Sequence, residues 1–190
     1  MKAGYPETKE ELDAMFRLRA EAYRKEGYVT AESDKDKYDL ENKCVYFIAK
    51  LNEKMVGTVR LVIDDPLPTE LAFDFEEPEE IARIPRNKRG EISRLIVVEK
   101  GMNHLISLNL FKAMFEFGKE YDYLGGYASV KDSLVQILSA IRAPLYRISP
   151  ATLKYDGSLL HGYFYEGDEE VVPVYYLRDK AAEFMEKMML

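Results

Sequence analysis

One stretch near the middle of the chain, Gly90–Val98, combines the pattern of a buried strand with charged side chains. Its second half is apolar and rich in β-branched residues, which predicts a strand inside a sheet. Its first half carries Glu91, Ser93 and Arg94, and burying ions is costly unless they are paired or used in chemistry. The stretch therefore indicates either a functional site or a structural ion pair at a strand end, and these residues alone leave both open.

The residues after this strand predict a helix that begins beside it. Gly101 follows the strand closely, and helical periodicity starts at about Asn103. The N–H groups at a helix N-terminus bind anions, phosphate in particular. A charged strand that leads through glycine into a helix N-terminus therefore suits a site that holds a phosphate beside a reacting group.

Composition narrows the class of protein. An apolar share of 47% with 32% charged residues is ordinary for a globular protein, and we expect one domain over residues 1–190. A net charge of −7 argues against a nucleic-acid binder, because phosphate contacts need clustered Lys and Arg. The single cysteine, Cys44, excludes an intrachain disulfide and a cysteine-based zinc site. With no apolar run of ~20 residues and a charged N-terminus, we expect a cytoplasmic protein without a membrane span.

The first predicted helix carries an arginine on its apolar face. Thr8 and Glu11 form a capping-box pattern, and Arg19 follows the spacing of the apolar residues after it. An inward arginine needs an acidic partner or an anionic ligand, unless its stem packs and its head reaches water. The acidic loop from Asp34 to Asp39 is either a solvated surface loop or a source of carboxylates for Arg19 or for an amine substrate.

A hairpin and a long insert are expected next. The strand-like runs 45–51 and 55–63 are joined by a short polar turn, which predicts a hairpin with Arg60 inside its second strand. Residues 64–85 contain four prolines and an acidic centre. We expect this insert to be an irregular, solvated cover or lid.

Two amphipathic helices and further strands are expected after the central strand. One helix ends near Gly118, and its predicted buried face is Leu105, Leu108, Phe111 and Phe115. The other begins at about Asp132, and its predicted buried face is Leu134, Ile137, Leu138 and Ile141. Strands are expected at 123–130, 146–148 and 171–177. Strand–helix–strand order predicts a right-handed parallel crossover, and the front hairpin makes the sheet mixed. The expected fold class is α/β with α+β character, a mixed central sheet flanked by helices.

The segment just before the central strand holds the one dense basic cluster of this acidic sequence. Its members are Arg83, Arg86, Lys88 and Arg89. Such a cluster suits docking of an acidic partner protein or of a phosphate. The alternative is a loop whose charges only flank the start of a strand.

Four motifs, in order and spacing, resemble those of the GNAT-type acyltransferase fold and, within it, of the acyl-homoserine-lactone synthases and N-acyl amino acid synthases. They are Arg19-x3-Tyr23, Asp36-x2-Asp39, the strand Val56-Gly57-Thr58-Val59-Arg60 and, most specific of the four, Glu91-Ile92-Ser93-Arg94. The resemblance covers residues 16–98 well, and none is recognised after residue 150.

The resemblance implies transfer of a fatty acyl group from a thioester to the amine of a small molecule, with no metal and no bound cofactor. The loop before the second long helix lacks the glycine-rich turn that cradles the CoA pyrophosphate in CoA-dependent relatives. This favours acyl-phosphopantetheine on an acyl carrier protein over acyl-CoA as donor. The sequence has no Trp, which lactone synthases typically carry after the first helix, and this favours an amino acid as acceptor. A CoA-dependent N-acetyltransferase and a non-catalytic acyl-binding or amine-binding module are the alternatives.

The same resemblance suggests roles for the acidic and basic residues. Glu91 is expected to be the base that deprotonates the amine, with Ser93 and Arg94 beside it. In a regular strand Glu91 and Arg94 face opposite sides, so either a bulge re-aims one of them or Arg94 lies outside the pocket. The expected substrate-binding residues are Arg19, Tyr23, Asp36, Asp39 and Arg60.

The donor is expected to meet other parts of the chain. A backbone N–H near Val97 or Val98 is expected to stabilise the oxyanion. Because the net charge would repel an acidic carrier protein, docking is expected to use basic residues. The residues expected to dock the carrier or its phosphate are Arg83, Arg86, Arg89, Lys100, Gly101 and His104.

Overall fold

The computed structural model describes residues 1–29, 32–99, 101–157, 159–166 and 168–188. Its helices are α1 (Lys9–Lys25), α2 (Lys37–Leu40), α3 (Pro68–Ala72), α4 (Glu79–Ala82), α5 (Asn103–Glu120), α6 (Asp132–Ala140), α7 (His161–Tyr165) and α8 (Arg178–Met188). Its strands are β1 (Lys2–Gly4), β2 (Cys44–Leu51), β3 (Lys54–Val62), β4 (Phe73–Phe75), β5 (Arg89–Val97), β6 (Gly125–Lys131), β7 (Leu145–Arg147), β8 (Ala151–Leu153) and β9 (Val171–Leu177). None of these helices is long and apolar enough to cross a membrane.

Seven strands form the central sheet, in the order β1-β2-β3-β5-β6-β9-β7, and β4 pairs with β8 in a small second sheet. The hairpin of β2 and β3 is confirmed, and its turn residues Asn52 and Glu53 adopt φ of 49° and 64°. Among the strands that the structure describes in the central sheet, β5 and β6 are the one pair that is parallel, as expected for strands joined through a helix. The mixed sheet flanked by helices is therefore confirmed.

The parallel pair at the centre of the sheet separates after a short stretch. Pairing of β5 with β6 extends from Arg89 to Glu91, and the rest of β5 pairs with β3 alone. Gly126 is required within the paired stretch, because a Cβ there would lie 1.7 Å from the carbonyl oxygen of Gly90. Beyond Glu91 the two strands leave a gap that leads toward the starts of α5 and α6.

The helix α5 covers one face of the sheet with a different face from the predicted one. Its buried residues include Ile106, Leu110 and Met114, whereas Leu105 is 49% exposed. The helix is apolar around most of its circumference, so periodicity alone could not choose between neighbouring stripes. Packing against β2 and β3 decides the choice.

The predicted face of α6 is also wrong. Val135 is the buried residue of this helix, and Leu134, Ile137 and Ile141 are exposed. Val135 packs in one cluster with Ile92 of β5, and Ile92 also contacts the core beneath α5. The helices α5 and α6 therefore flank the gap between β5 and β6 on the same side of the sheet.

The insert 64–85 is not an irregular lid. It forms α3, β4 and α4, and it buries Leu67, Thr69, Phe73 and Ile81. These buried residues are scattered between prolines and acids, so no run of the sequence has a helical or strand period. The insert packs under the sheet beside Tyr127 and contributes directly to the site described next.

Candidate active site

A β-bulge in β5 brings the charged residues of the central strand to one face. Thr58 pairs with Ile96 and Arg60 with Ser93, so β5 holds one more residue than β3 between these pairs. Arg94 occupies the bulge with φ of 56°, a left-handed conformation that is strained for a side-chain-bearing residue. The bulge re-aims Arg94, which in a regular strand would face away from Glu91 and Ser93.

The first helix delivers Arg19 to the same place. Thr8 caps α1 by accepting a hydrogen bond from the backbone N–H of Glu11, and Arg19 is 0% exposed. Its Nε donates to Asp34 at 2.8 Å, and Nη1 and Nη2 donate to the two oxygens of Asp39 at 3.0 and 3.1 Å. The head of Arg19 thus does not reach water, and of the alternatives that the sequence left open, the structure shows pairing with acidic residues.

The acidic loop is shaped by its own side chains. Asp36 is the N-cap of α2, where its carboxylate accepts from the backbone N–H of Tyr38 at 3.0 Å. Asp39 closes the capping box by accepting from the backbone N–H of Asp36 at 3.0 Å. A single helical turn therefore fixes both carboxylates over β3 and β5.

Arg60 joins this loop to the two strands. Its Nε donates to the Ser93 hydroxyl at 3.0 Å, Nη1 donates to Asp36 at 2.8 Å and to Asp39 at 2.9 Å, and Nη2 donates to Asp36 at 2.9 Å. Burial disfavours the charged form of the Arg60 guanidinium, but the hydrogen bonds to Asp36 stabilise that form and raise the pKa of Arg60. Burial also opposes ionisation of Asp39, yet the bonds from Arg19 and the charge of Arg60 hold its pKa far below the ordinary value.

Arg94 is the third arginine of the network. Its Nη2 donates to Asp36 at 3.1 Å and to the backbone carbonyl of Asp34 at 3.3 Å, and its guanidinium lies 5.1 Å from the centre of the Tyr23 ring. Three arginines thus meet three aspartates in a charge-balanced network. The predicted convergence of α1, the acidic loop, β3 and β5 in one place is what the structure shows.

Glu91 lies on the same strand but has a different partner. It is 2% exposed, and its Oε2 accepts from the backbone N–H of Thr69 at 2.7 Å, in the first turn of α3. The hydroxyl of Thr69 bonds to that of Ser129 on β6 at 2.8 Å. Burial raises the pKa of Glu91 to about 8, against the lowering effect of the Thr69 bond. No sequence pattern points to Thr69, because it lies in the proline-rich insert, whose residues show neither a helical nor a strand period.

Cys44 is a structural thiol rather than a nucleophile. Its Sγ lies 3.1 Å from the hydroxyl of Tyr46, which in turn donates to Asp39 at 2.9 Å. Burial raises the pKa of Cys44 to about 11, so it stays protonated at neutral pH. Among the described residues, no group of three or more His, Cys, Asp and Glu could hold a metal ion.

The basic residues before β5 are already paired. Exposed Arg83 bonds to Glu79, and Arg86 donates to Asp65 at 3.0 Å and to Glu70 at 2.5 Å. Arg89 is buried, donating to the carbonyl of Ile84 at 2.8 Å and to Glu77. Arg89 therefore presents no charge to a docking partner, because its guanidinium completes the packing beneath the insert.

The predicted docking residues form two separate groups. Gly101, with φ of 88°, and the exposed His104 lie at the start of α5, after the end of β5. Arg83 and Arg86 precede the other end of β5, and a nine-residue strand spans about 26 Å. Lys100 lies outside the described residues. The structure thus separates the two halves of the predicted docking surface.

The backbone of β5 distinguishes the two expected oxyanion donors. The N–H of Val98 donates to the carbonyl of Val56 at 2.9 Å. Neighbouring residues of an antiparallel strand point their N–H groups to opposite edges, so the N–H of Val97 points away from β3, toward the gap. Val97 is therefore the better placed of the two.

Comparisons with known proteins agree with this geometry. No curated protein sequence matches the chain. The structure resembles a CoA-dependent acyl-homoserine lactone synthase, MesI, with 18% identity, 95% of this chain and 88% of that chain covered and a TM-score of 0.64. It also resembles FeeM, an N-acyl amino acid synthase from uncultured soil microbes, with 15% identity, 96% and 94% covered and a TM-score of 0.61. A third similar structure is an acetyltransferase of the GNAT family from Staphylococcus aureus Mu50, with 17% identity, 93% and 98% covered and a TM-score of 0.58.

At these identities the solved structures establish the fold, which is that of the GNAT acyltransferases. The sequence model of the family described as "N-acyl amino acid synthase FeeM" matches residues 14–142. This range is more than half of the chain and includes all four motifs. The chain therefore belongs to the FeeM family of N-acyl amino acid synthases and is an acyltransferase.

Proposed function

We propose that the enzyme transfers a fatty acyl group from an acyl carrier protein thioester to the amine of an amino acid or a related small molecule. The observation that carries the proposal is the state of Glu91. This carboxyl group is buried, sits where β5 and β6 separate and has its pKa raised to about 8. A base whose pKa lies near the working pH suits removal of a proton from an ammonium group.

The chemistry then follows in balanced steps. The Glu91 carboxylate takes one proton from the acceptor's ammonium group, and the free amine attacks the thioester carbonyl. The oxygen of the tetrahedral intermediate gains negative charge, which the N–H of Val97 would stabilise. When the intermediate collapses, the C–S bond breaks, the amide C–N bond remains, and the departing thiolate takes up a proton as the amine nitrogen loses one.

The gap between β5 and β6 is a suitable binding place for the acyl donor. A thioester lying in this gap would meet Glu91 at its closed end and the N–H of Val97 along its edge. The N-terminus of α5 opens beside the same gap, and its backbone N–H groups suit a phosphodiester. The arginine–aspartate network borders the acceptor side, with Ser93, Arg60 and Asp36 held rigidly by one another.

Mass spectrometry of lipid extracts tests the proposed function directly. Cells that overexpress the enzyme should contain a new N-acyl amino acid, and cells that overexpress Glu91→Gln to the same level should lack it. The substitution keeps the shape of the side chain and removes the base. Extracts that show no difference between the two proteins, in any acylated amine, would contradict the proposal.

Carrier docking is expected at the α5 end of the gap rather than near Arg86. Reversing Arg86 would also disturb Glu70, which accepts from the backbone N–H of Leu67 at the start of α3, so it is a poor probe. We expect His104→Glu with Lys112→Glu to raise the KM for carrier-linked donor at least several-fold, because both side chains are exposed on α5. The KM for the same acyl group on CoA should change less.

Lys119→Glu is the matched control for this docking test. It makes the same Lys-to-Glu reversal as Lys112→Glu, on an exposed position of α5 near the opposite end of the helix. A KM that responds equally to Lys119→Glu would show a long-range charge effect and no docking site. If acyl-CoA is the better donor for the unaltered enzyme, the carrier protein is the wrong donor.

A further inference from the structure

A line of hydrogen bonds runs from Glu91 to the far side of the gap between β5 and β6. The Oε2 atom of Glu91 accepts from the backbone N–H of Thr69 at 2.7 Å, and the Thr69 hydroxyl bonds to the Ser129 hydroxyl at 2.8 Å. The Thr69 hydroxyl also bonds to the Glu91 carboxylate. Thr69 is 0% exposed, so bulk water does not compete for its hydroxyl. Two hydroxyl groups thus connect the expected base on β5 with β6.

The register of the sheet places Ser129 at the edge of the gap. Pairing of β5 with β6 stops after Glu91 and Tyr127. Two residues further along each strand, Ser93 would lie opposite Ser129 if the pairing continued. Side chains two residues apart on a strand point to the same face, so Ser129 lies on the same side of the sheet as Glu91 and Ser93. Its half-buried hydroxyl therefore borders the place proposed for the thioester.

The line can carry a proton in the direction that the reaction needs. While Glu91 is a carboxylate, the Thr69 hydroxyl donates to it and accepts from Ser129. A hydroxyl group rotates and offers both a donor and acceptor sites, so these directions reverse once Glu91 holds a proton. The Ser129 hydroxyl is then free to donate to an atom in the gap.

Two tyrosines near this part of the gap are poor proton donors by comparison. The hydroxyl of Tyr163 donates to the carbonyl of Ser129 at 3.0 Å, and that of Tyr176 donates to the carbonyl of Gly90 at 3.2 Å. Burial raises the pKa of both hydroxyls. A tyrosine that gave up its proton here would leave a buried anion facing a carbonyl oxygen, which is costly. Ser129 avoids this cost, because its proton can be replaced through Thr69.

We infer that Ser129 is the acid that protonates the departing thiolate and that Thr69 carries the replacement proton to it from Glu91. The inference rests on the proposed function and adds the route of one proton. As the C–S bond breaks, the proton held by Glu91 moves to the Thr69 oxygen, the Thr69 proton to the Ser129 oxygen, and the Ser129 proton to the sulfur. Each hydroxyl loses one proton and gains one. The restored Glu91 carboxylate then accepts the second proton of the amine nitrogen and later releases it to solvent.

The raised pKa of Glu91 suits both halves of this circuit. A carboxyl group of ordinary pKa would give a proton to a thiolate but would hardly take one from an ammonium group. With a pKa of about 8, Glu91 can take that proton. An ordinary thiol has a pKa of about 8.5, so passing the proton on to the thiolate is nearly balanced in free energy.

Two thioesters with different leaving groups test the role of Ser129. Purified enzyme is given the twenty α-amino acids and the same mixture of medium-chain and long-chain acyl groups, carried either on N-acetylcysteamine or on para-nitrothiophenol. The alkyl thiolate needs a proton as it leaves, whereas the aryl thiolate does not, because its charge is delocalised. After subtraction of the rates without enzyme, we expect Ser129→Ala to lower kcat/KM about 10²-fold for the alkyl thioester and less than about threefold for the aryl thioester.

Thr69→Val should show the same selective loss, because valine keeps the shape and the backbone N–H that binds Glu91 and removes only the hydroxyl. Ser139→Ala, at an exposed position of α6, is the control and should leave both rates unchanged. The ratio of the two rates does not depend on the folded fraction, so partial misfolding would not imitate the result. Should Ser129→Ala not fold at all, Thr69→Val decides by the same ratio.

Equal losses with both thioesters, or no loss with either, would overturn the inference and leave amine acylation standing. If the enzyme accepts only loaded carrier protein, the solvent isotope effect on kcat decides. D₂O should then slow the unaltered enzyme more than Ser129→Ala, and equal slowing overturns the inference. No N-acyl product from the thioesters or from the loaded carrier protein overturns the proposed function itself.

Discussion

Replacing Glu91 by glutamine should lower kcat by about 10²–10⁴-fold, the usual contribution of a general base. For the unaltered enzyme, kcat should rise with pH and level off above about pH 8, because only the ionised carboxyl group accepts a proton. Below that pH, each unit should lower the rate about tenfold. The glutamine variant should lose this dependence and keep only the one that comes from the acceptor's own ammonium group. A variant with the original rate and profile would exclude Glu91 as the base.

The raised pKa of Glu91 should also make the free energy of unfolding depend on pH. Its folded pKa of about 8 lies above the unfolded value of 4.5, so between these values the folded state holds the extra proton. Stability should therefore fall as pH rises through this window, by up to about 4–5 kcal/mol for the full shift. Glu91→Gln should remove most of that fall in urea unfolding measured between pH 5 and 9. Glu116→Gln, at an exposed position on α5, should leave it unchanged.

Helical periodicity predicted that Arg19 lies on the apolar face of α1, and it left open whether the guanidinium pairs with acids, binds an anion or reaches water. Which acids contact Arg19 depends on where the loop after α1 folds back, and no local sequence pattern predicts the path of that loop. The bulge at Arg94 could be predicted only as one of two alternatives. A bulge is an extra residue relative to the partner strand, and the register of that pairing cannot be read from one strand alone. Geometry of this kind arises from pairing between distant segments.

The wrong predictions for the insert and for Arg89 have the same physical cause. Ile81 and Thr69 are buried by the sheet above them, yet their own neighbours in sequence are prolines and acids. Arg89 belongs to a sequence cluster of basic residues, but the strand that begins there turns its side chain inward toward Glu77. Composition describes what a segment could do at a surface, whereas tertiary packing decides whether the segment is at the surface.

Asp39 should be the most sensitive position of the charge network for stability. Its carboxylate accepts from Arg19, Arg60, Tyr46 and the backbone of Asp36, and its side chain is 0% exposed. Asp39→Ala removes a carboxylate partner from the buried guanidinium groups of Arg19 and Arg60. Breaking a buried ion pair in this way typically destabilises the folded state by about 3–5 kcal/mol. For a chain of this size that corresponds to a fall of about 10 °C in Tm. Thermal and urea unfolding at pH 7 measure both.

Asp64→Ala is the matched control, because Asp64 pairs with Lys43 at 3.7 Å near the surface and should contribute less than about 1 kcal/mol. The acid side of the stability curve gives an independent check. Since the pKa of Asp39 is depressed in the folded state, its contribution is complete above the ordinary carboxyl range and is lost as pH falls below it. The difference between the parent and Asp39→Ala should therefore persist at pH 5 and shrink toward pH 2. If the two variants were equally stable at pH 7, the buried network would not hold α1, α2 and the strands together.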